Sequence, residues 1–457
     1  MKLTLDTSRR YQTFGGIGAS GAWWAQYAGT WTKPDKTTGE ETRARLAKLL
    51  YSPTEGIGMQ IYRYNLGGGS ASSGKGRYVD RWRRAEDFYA PDGSLDFTKD
   101  AGAVAMLRLV VEAGASEVVF FVNSPPERLT KNGMAQLCRR QLLRTNLAKK
   151  QIPAFADYCL NVTAHFIGEG IPVRYLSPVN EPLWLWNGGQ EGCHYSPRQV
   201  LRVLSAFAVA MEKRTDLRGL KLAAAENGDI RWLNRAYTRV CLKKEAVRRL
   251  LDGIDVHAYC IPQAFLPRFL NDRAAFLRRF RAYLDRRFPG VPVQTSEWTH
   301  MQGGRDAGMD SALETAKVML EDFTLLGVTK FSHWLACSHY DYCDGLIYLD
   351  PDTQGYTLTK RYFVTGQFSK YIPLGAARFE TATDEPDVRS VGFVKDGART
   401  VVLMNAGTAE KTFPAPFMGR FIVTDETRSL DETGMTAGQT LTLPGRSVAT
   451  LKEDAVC

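Results

Sequence analysis

Short runs of apolar and β-branched residues alternate with longer amphipathic segments over most of the chain. The strand candidates are Phe14–Ile17 and residues 59–65, 117–123, 173–180, 220–227, 254–259, 291–298 and 329–335. The helix candidates include residues 42–52, 100–114, 155–170, 196–214, 273–288 and 311–327. Such alternation is typical of repeated βα units. It predicts an α/β fold, a (β/α)8 TIM barrel, with an open doubly wound sheet as the alternative. A dinucleotide-binding version of that sheet lacks support, because no G-x-G-x-x-G follows the first strand.

The pattern changes near residue 373. From there to residue 457 the chain has short alternating runs separated by Gly, Asp-Gly and Asn-Ala-Gly turns. These features predict a smaller C-terminal antiparallel β-sandwich. The opening residues also alternate, so we expect residues 1–15 to add a strand to the sandwich, residues 16–372 to form the barrel and residues 373–457 to form the side domain.

The composition is typical of a globular protein without a membrane span. The 457 residues are 44% apolar and 24% charged, which is ordinary for a globular protein. No run approaches the eighteen apolar residues of a membrane span, so no membrane association is expected. The first residues lack the apolar core of a secretion signal, which predicts a cytoplasmic protein; a secreted one is the alternative if the true start was trimmed.

The net charge of +10 raises the question of an acidic partner. The densest basic groups, residues 81–88, 137–151 and 276–288, read mostly as polar faces of helices. We therefore expect no nucleic-acid binding and leave an anionic glycan open. None of the eight cysteines forms a C-x-x-C pair, so they predict buried thiols and no metal site. Oligomeric state cannot be read from the sequence.

Polar or aromatic residues end the predicted strands, and in a barrel these ends share one mouth. They are Arg63, Asn65, Asn123, Asn180, Glu181, Glu226, Asn227, His257, Tyr259, Glu297, Trp298, His333 and Trp334. Glu181 and Glu297 follow the fourth and seventh strands and would face each other across the mouth. Hydrolysis of an acetal with retention needs an acid for the leaving oxygen and a carboxylate about 5 Å away as nucleophile.

The neighbours of this pair suggest supporting roles. We expect Asn180 to hydrogen-bond a sugar hydroxyl, Tyr259 to orient Glu297, and Arg63 to keep Glu297 ionised. His257 is interpreted as a structural hydrogen-bonder more readily than as a base.

Two other residues near the predicted mouth stay open. Asn123 is either a sugar contact or part of a rigid loop. Glu226 is interpreted as a cap of the next helix, with substrate contact as the alternative.

Aromatic residues also gather near the strand ends. Trp23, Trp24, Trp184, Trp186, Trp298 and Trp334 lie within a few residues of a predicted strand end. Flat aromatic surfaces stack on sugar rings, although the same residues could fill the core. The three glycines 67–69 predict a tight turn, because the Lys-Ser/Thr of a phosphate loop is missing. Residues 341–355 hold four aspartates but lack the calcium-loop pattern and are interpreted as a loop of the cleft.

Several motifs together resemble glycoside hydrolase family 30, of the retaining clan A barrels. They are QTFGGIGASGAWWA, YRYNLGGGS, NSPP, SPVNEP, HAY, QTSEW and GQFSKYIPLGA, and they run over nearly the whole chain. The resemblance implies that Glu181 is the acid/base and Glu297 the nucleophile, without a cofactor. It also implies that Arg63, Asn180, Tyr259 and Trp334 line the subsite next to the scissile bond.

The double tryptophan at residues 23–24 resembles the branch that includes endo-β-1,6-galactanases. Glu127, Arg128 and Leu129 depart from it, since bulky aromatics usually follow NSPP. The expected substrate is β-1,6-galactan or its oligosaccharides, contacted in part by Trp24, Trp184, Trp298, Asn123 and His257. The alternatives are a β-glucosidase, β-1,6-glucanase, β-fucosidase or β-xylosidase/xylanase, a glycan-binding protein without activity, and a basic polymer-binding module.

Overall fold

The computed structural model describes residues 1–75, 78–137, 144–261 and 267–454. Its strands are β1 (Leu3–Thr13), β2 (Gly16–Ser20), β3 (Ile61–Asn65), β4 (Glu117–Phe121), β5 (Val173–Ser177), β6 (Lys221–Leu222), β7 (Ala225–Asp229), β8 (Ile254–Tyr259), β9 (Val293–Trp298), β10 (Val328–His333), β11 (Leu335–Ser338), β12 (Gly345–Asp350), β13 (Gly355–Leu358), β14 (Ala377–Thr383), β15 (Val388–Lys395), β16 (Ala398–Asn405), β17 (Lys411–Pro414), β18 (Gly419–Thr424), β19 (Ser429–Met435), β20 (Thr440–Leu443) and β21 (Ser447–Glu453). Its helices are α1 (Ala25–Ala28), α2 (Thr42–Tyr51), α3 (Ala101–Ala113), α4 (Ile152–Gly168), α5 (Pro197–Met211), α6 (Asn234–Lys243), α7 (Glu245–Arg248), α8 (Arg273–Arg287), α9 (Met309–Glu321) and α10 (Lys360–Ser369).

Nine strands form one parallel sheet in the order β6-β5-β4-β3-β2-β10-β9-β8-β7. Helices separate most of these strands along the chain, which gives a TIM-like arrangement. The first and last strands of the order are separated by only Ala223 and Ala224. The Ala223 amide donates to the Leu176 carbonyl of β5 at 3.0 Å, and the Asp255 amide of β8 donates to the Ala224 carbonyl at 2.7 Å.

The predicted strand positions are confirmed with small shifts at their ends, and residues 254–259 match β8. Two predictions are wrong. The expected strand over residues 220–227 is two shorter strands, β6 and β7. The expected cleft loop over residues 341–355 instead contains β12 and the start of β13. In a three-stranded sheet, β12 pairs with β11 on one side and with β13 on the other. Sequence periodicity missed these strands because buried aromatic and aliphatic residues lie between aspartates.

One of the three basic segments differs from its expected form. Residues 276–288 fall largely on α8, as predicted. Residues 81–83 form a short 3-10 turn and not the face of a longer helix. Of the third segment, residues 138–143 lie outside the described residues.

The C-terminal region is an antiparallel sheet of seven strands in the order β1-β14-β15-β16-β21-β18-β19. The N-terminal strand β1 pairs with β14, with Leu3 opposite Thr383. A two-stranded sheet, β17 with β20, contributes Phe413, Leu441 and Leu443 to a buried cluster on one face of the larger sheet.

The two faces of the seven-stranded sheet belong to different cores. In β16, Val401 and Leu403 join the cluster under β17 and β20, whereas Val402 and Met404 join the main core of the parallel sheet and its helices. This follows from the two-residue period of a strand. The antiparallel sheet is thereby packed against the molecule that carries the predicted site.

Among the described residues, no helix is both long enough and apolar enough to cross a lipid bilayer.

Candidate active site

The predicted site residues come from the ends of several parallel strands. Arg63 lies in β3, His257 and Tyr259 in β8 and Glu297 in β9, and Glu181 follows β5 by four residues. Because these strands run in the same direction, their carboxyl ends meet at one edge of the sheet. The structure therefore brings these side chains together.

Glu181 and Glu297 form a close pair of buried carboxyl groups. One oxygen of each and one nitrogen of His257 all lie within 4.8 Å of one another. Glu181 is 8% exposed and Glu297 4% exposed. Inverting glycosidases separate their carboxyl groups by about 6.5–9.5 Å to admit a water, and retaining ones by about 5–5.5 Å. The observed spacing fits the second geometry.

Two buried basic side chains, Arg63 and His257, contact the pair. Arg63 donates from Nη1 to Glu297 Oε2 and from Nη2 to Glu226 Oε2, both at 3.0 Å. His257 lies with Nδ1 2.8 Å from Glu181 Oε1 and 3.2 Å from Glu297 Oε1, and with Nε2 2.8 Å from Glu226 Oε2. Both imidazole nitrogens therefore face carboxylates, an arrangement that favours the doubly protonated ring.

These charges give the two glutamates opposite shifts. Burial, joined by the charges of Glu297 and Glu226, raises the pKa of Glu181 above its ordinary value in spite of His257. Burial also acts on Glu297, but the charges and hydrogen bonds of His257 and Arg63 outweigh it and lower its pKa. Burial would lower the pKa of His257, yet the three carboxylates around it raise that pKa well above its usual value. The opposite shifts favour the protonated form of Glu181 and the ionised form of Glu297.

Glu226 is the residue whose role sequence reasoning missed. The interpretation as a helix cap is wrong: its side chain is fully buried, and it accepts hydrogen bonds from Arg63 and His257. It does not border the cavity described below. The sequence placed Glu226 at a strand end but could not show that Arg63 and His257, two buried basic side chains, need its carboxylate as a partner.

The backbone around Glu181 is constrained in an unusual way. Glu181 and Glu226 have φ angles of 40° and 54°, in the left-handed region that non-glycine residues rarely adopt. The Glu181 amide donates to the Glu226 carbonyl at 2.9 Å, which joins the two turns. A side chain at Gly228 would place Cβ 2.6 Å from Glu181 Oε1 and 2.5 Å from Trp184 Nε1. Only glycine leaves room there for the carboxyl group.

A cavity of about 250 Å³ opens above the paired carboxyl groups. It is lined by Trp23, Asn123, Asn180, Glu181, Trp184, Trp186, Gln190, Tyr259, Ile261, Glu297, Met301 and Trp334. The Tyr259 hydroxyl donates to Glu297 Oε1 at 3.3 Å. Arg63 and His257 lie beneath the cavity and not in its wall.

The cavity wall contains an unsatisfied polar atom. Asn180 donates to Asn123 Oδ1 at 2.9 Å, and Asn123 donates to Asn65 Oδ1 at 3.3 Å. The Asn180 side-chain oxygen is buried and has no hydrogen-bond partner among the described residues. A buried acceptor of this kind is costly unless a ligand donates to it, and a sugar hydroxyl is such a donor.

Of the six tryptophans named from the sequence, four line the cavity: Trp23, Trp184, Trp186 and Trp334. Trp24 does not: it is 1% exposed, and its indole N–H donates to the Ser20 carbonyl. Trp298 is likewise buried at 6% exposure and outside the cavity wall. Trp23 takes the place expected for Trp24, because its φ of 68° turns it toward the edge of Trp334, 5.0 Å away.

The glycine-rich turn is held by a protein carboxylate. Glu191 accepts hydrogen bonds from the amides of Gly68 and Ser70, at 2.8 and 3.1 Å. Gly69 has φ +93°, which favours glycine. The amides at the turn of residues 67–69 thus bind the Glu191 carboxylate, where those of a phosphate loop would bind a phosphate.

Glu181, His257 and Glu297 also have a spacing that a metal ion accepts. Here the raised pKa of His257 works against this use, because a protonated imidazole has no free lone pair for a metal. The donor set fits a charge network better than a cation site.

Comparison with known proteins agrees with this geometry. The family model O-Glycosyl hydrolase family 30 matches residues 1–250 and 294–348. An endo-beta-1,6-galactanase from Hypocrea rufa is 25% identical over 431 residues, which cover 88% of this chain and 80% of that protein.

Solved structures share the fold at low identity. A conserved exported protein from Bacteroides fragilis superposes with a TM-score of 0.86 at 21% identity, over 98% of this chain and 99% of that one. The catalytic domain of a GH30 xylanase C from Talaromyces cellulolyticus gives a TM-score of 0.73 at 17% identity, over 99% and 100%.

Paired buried carboxyl groups at the strand ends of a TIM-like sheet, together with these relatives, define an enzyme that hydrolyses O-glycosyl bonds. The chain belongs to glycoside hydrolase family 30.

Proposed function

We propose that the protein cleaves β-linked glycans with retention of configuration, with Glu181 as acid/base and Glu297 as nucleophile. The observation that carries the proposal is the pair itself: two buried carboxyl groups at retaining distance with opposite pKa shifts. The same proposal takes the nine strands as a closed (β/α)8 barrel in which residues 221–229 act as one strand. The hydrogen bonds of that segment to β5 and β8 support it.

The first half of the reaction needs a protonated Glu181 and an ionised Glu297, the forms that their pKa shifts favour. Ionised Glu297 attacks the anomeric carbon, and the bond from that carbon to the leaving sugar breaks as Glu181 gives its proton to the leaving oxygen. Arg63 and His257 keep Glu297 ionised until the attack. The product is a glycosyl ester on Glu297, with Glu181 now ionised.

The second half reverses the roles. Ionised Glu181 takes a proton from water as the water oxygen attacks the anomeric carbon and displaces Glu297. The sugar leaves with its original configuration, and one water is consumed. Asn180, Asn123, Trp23, Trp184 and Trp334 hold the sugar in this scheme through the free amide oxygen and the aromatic wall.

β-1,6-Galactan or its oligosaccharides are the substrate that we propose. The relative from Hypocrea rufa, an endo-beta-1,6-galactanase, and the aromatic cavity support this choice. A xylan substrate is the second candidate, supported by the similarity to the xylanase fold. The cytoplasmic location stays a prediction; the similar Bacteroides fragilis protein is described as exported.

The test is hydrolysis of β-1,6-galacto-oligosaccharides, xylo-oligosaccharides and 4-nitrophenyl β-glycosides by the wild type and by Glu181→Gln and Glu297→Gln. We expect one substrate class to be cleaved and both variants to lose about 10³-fold or more in kcat/KM. Proton NMR of the first product should show the β anomer. Asp322→Asn, at a buried carboxylate bound to Arg273 and away from the cavity, controls for damage to folding.

Azide separates the two roles further. Added to Glu297→Ala with an activated aryl glycoside, azide should restore turnover. It attacks the anomeric carbon from the face that Glu297 would have used, opposite the leaving group, and therefore gives the α-glycosyl azide. Wild-type rates in Glu297→Ala on a cleaved substrate would refute the assignment. Glycan binding without cleavage in the wild type would favour the binding-protein alternative.

A further inference from the structure

Arg83 lies in the 3-10 turn Arg81–Arg83 and contacts two residues of the cavity wall, Trp23 and Gln190. Its guanidinium carbon is 4.3 Å from the centre of the Trp23 ring and 4.9 Å from that of Tyr340. The two rings are nearly perpendicular, at 81° to each other, so the guanidinium lies against both without being enclosed and can still present N–H groups to a ligand.

The hydrogen-bonding capacity of Arg83 is largely unused. Nε donates to the Tyr340 hydroxyl and Nη1 to Gln190 Oε1, both at a long 3.3 Å. Among the described residues, Nη2 has no acceptor, and no carboxylate lies within ion-pair distance of Arg83. The neighbouring Asp80 is engaged elsewhere, by the Tyr340 hydroxyl at 2.6 Å and the Trp82 amide at 3.1 Å.

This side chain borders the space that a sugar would occupy. Trp23 and Gln190, both in contact with Arg83, line the cavity above the paired glutamates. Trp23 in turn packs edge-on against Trp334. Arg83 therefore contacts two residues that line the same cavity as the paired glutamates.

The local charge has the sign that an anion requires. Arg81 and Arg84 flank Arg83 in the chain. Of the three acidic residues between positions 80 and 88, Asp80 bonds to Tyr340 and Trp82, and Glu86 and Asp87 pair with Lys99. This is the basic segment that the sequence suggested to be a helix face. In the folded chain it is a turn beside the cavity, where its charge acts on whatever enters.

We propose that the Trp23 and Gln190 side of the cavity is a subsite for an acidic sugar, with Arg83 binding the carboxylate of a uronic acid residue. The inference rests on the proposed function, because it places the uronate in the same glycan that the glutamates cleave. A carboxylate matches the two-pronged edge of the guanidinium, and the sugar ring that carries it would lie against Trp23.

The experiment compares two probes that differ only at C6, methyl β-D-glucuronide and methyl β-D-glucoside, at pH 7. Their dissociation constants are measured by NMR titration with Glu297→Gln, which binds without turnover. We expect the glucuronide to bind about tenfold to a hundredfold more tightly, the range of a charged hydrogen-bonded pair. Arg83→Gln in the same background should reduce that ratio to about one.

Arg235→Gln is the matched control, since Arg235 also lies over a tyrosine ring, Tyr283, but on the outer helices. It should leave the ratio unchanged. Arg83→Lys should recover part of the preference, because a lysine restores charge without the planar fork. If an uncharged polar residue at position 83 also kept the preference for the glucuronide, Arg83 would only support the cavity wall, and the proposal would be overturned.

Other outcomes separate this inference from the proposed function. Equal affinities for both probes, with neutral oligosaccharides still cleaved, would overturn the subsite alone. A glucuronide preference that depends on Arg83, with no hydrolysis of any substrate, would overturn the proposed function and leave the subsite. Tighter binding of methyl β-D-glucoside 6-sulfate than of the glucuronide would overturn the choice of a carboxylate.

Discussion

His257 lies among three carboxyl groups and influences the pKa of each of them. Its ring touches Glu181, Glu226 and Glu297 within 3.2 Å. A cation in that position lowers the pKa of every neighbouring carboxyl, but Arg63 adds a second cation on the side of Glu297 and Glu226 only. Because Arg63 contacts Glu297 and not Glu181, the pKa values of the two glutamates of the reaction differ.

This asymmetry predicts a bell-shaped pH profile for kcat/KM. Activity should rise as Glu297 ionises, at a pH below the usual glutamate range, and fall as Glu181 loses its proton, at a pH above it. With an activated aryl glycoside that needs no protonation, Glu181→Gln should lose the alkaline limb and keep the acidic one. An alkaline limb that survives in Glu181→Gln would show that another group sets it.

At the scale of the element, the strand ends place side chains through backbone angles as much as through sequence. β7 passes directly under Glu181, with Gly228 at the point of contact. The helix α3 shows the same dependence at its start, where Asp100 adopts φ 53° and accepts a hydrogen bond from the buried Tyr64 hydroxyl.

Gly228→Ala should lower kcat by about tenfold to a hundredfold. Its Cβ would lie 2.6 Å from Glu181 Oε1 and must push the carboxyl group aside, and small displacements of catalytic groups have effects of this size. Steady-state kinetics beside circular dichroism would measure the loss in a folded protein. Gly434→Ala, where a Cβ meets nothing within 4 Å, is the control and should behave as wild type.

Asp100→Asn should stabilise the protein increasingly as pH rises from about 4 to 8. Burial raises the pKa of Asp100 to about 8 in the folded state, whereas the unfolded value is near 3.9. Folding then takes up a proton over that range, so stability contributed by this site is lost as pH increases. Asparagine does not titrate and tolerates the left-handed backbone.

The gain from Asp100→Asn at pH 8 should be about 1 kcal/mol or more, and close to zero at pH 4. Urea unfolding of both proteins across this range would measure it. Nearby Glu86, Glu191 and Lys99 also act on Asp100 but are present in both proteins. A gain that is independent of pH would contradict the buried, protonated state of Asp100.

Much of the element order could be predicted from the sequence, since hydrophobic period and strand-end polarity are local properties. The pairing of Glu181 with Glu297 was predictable for the same reason: parallel strands bring their ends together. Which of Trp23 and Trp24 faces the cavity was not, because it depends on the φ of 68° at Trp23. The role of Glu226 also required its contacts with Arg63 and His257, which no single segment contains.

At the scale of the whole molecule, the antiparallel sheet and the parallel sheet share one core. Phe393 of β15 is 1% exposed and packs 5.5 Å from Phe14 and 5.6 Å from Phe323, ring centre to ring centre. Phe14 precedes β2, and Phe323 follows α9. A side domain joined in this way should not unfold by itself.

Phe393→Ala should therefore destabilise the molecule as one unit. Removal of a buried phenylalanine typically costs about 3–5 kcal/mol. Differential scanning calorimetry should show a single transition at lower temperature. Val209→Ala on the exposed face of α5 should leave it unchanged. Two separate transitions in either protein would contradict a shared core.

The pairing of β1 with β14 also bears on how the chain is made. Leu3 finds its partner Thr383 only after the 379 residues between them have been translated. At about 5–20 residues per second, a ribosome needs roughly 20–75 s for that distance. β1 must wait unpaired, and its Asp6, Arg9 and Arg10 discourage a strand edge from joining another nascent chain in the meantime. The charge of the first strand thus protects newborn protein during synthesis.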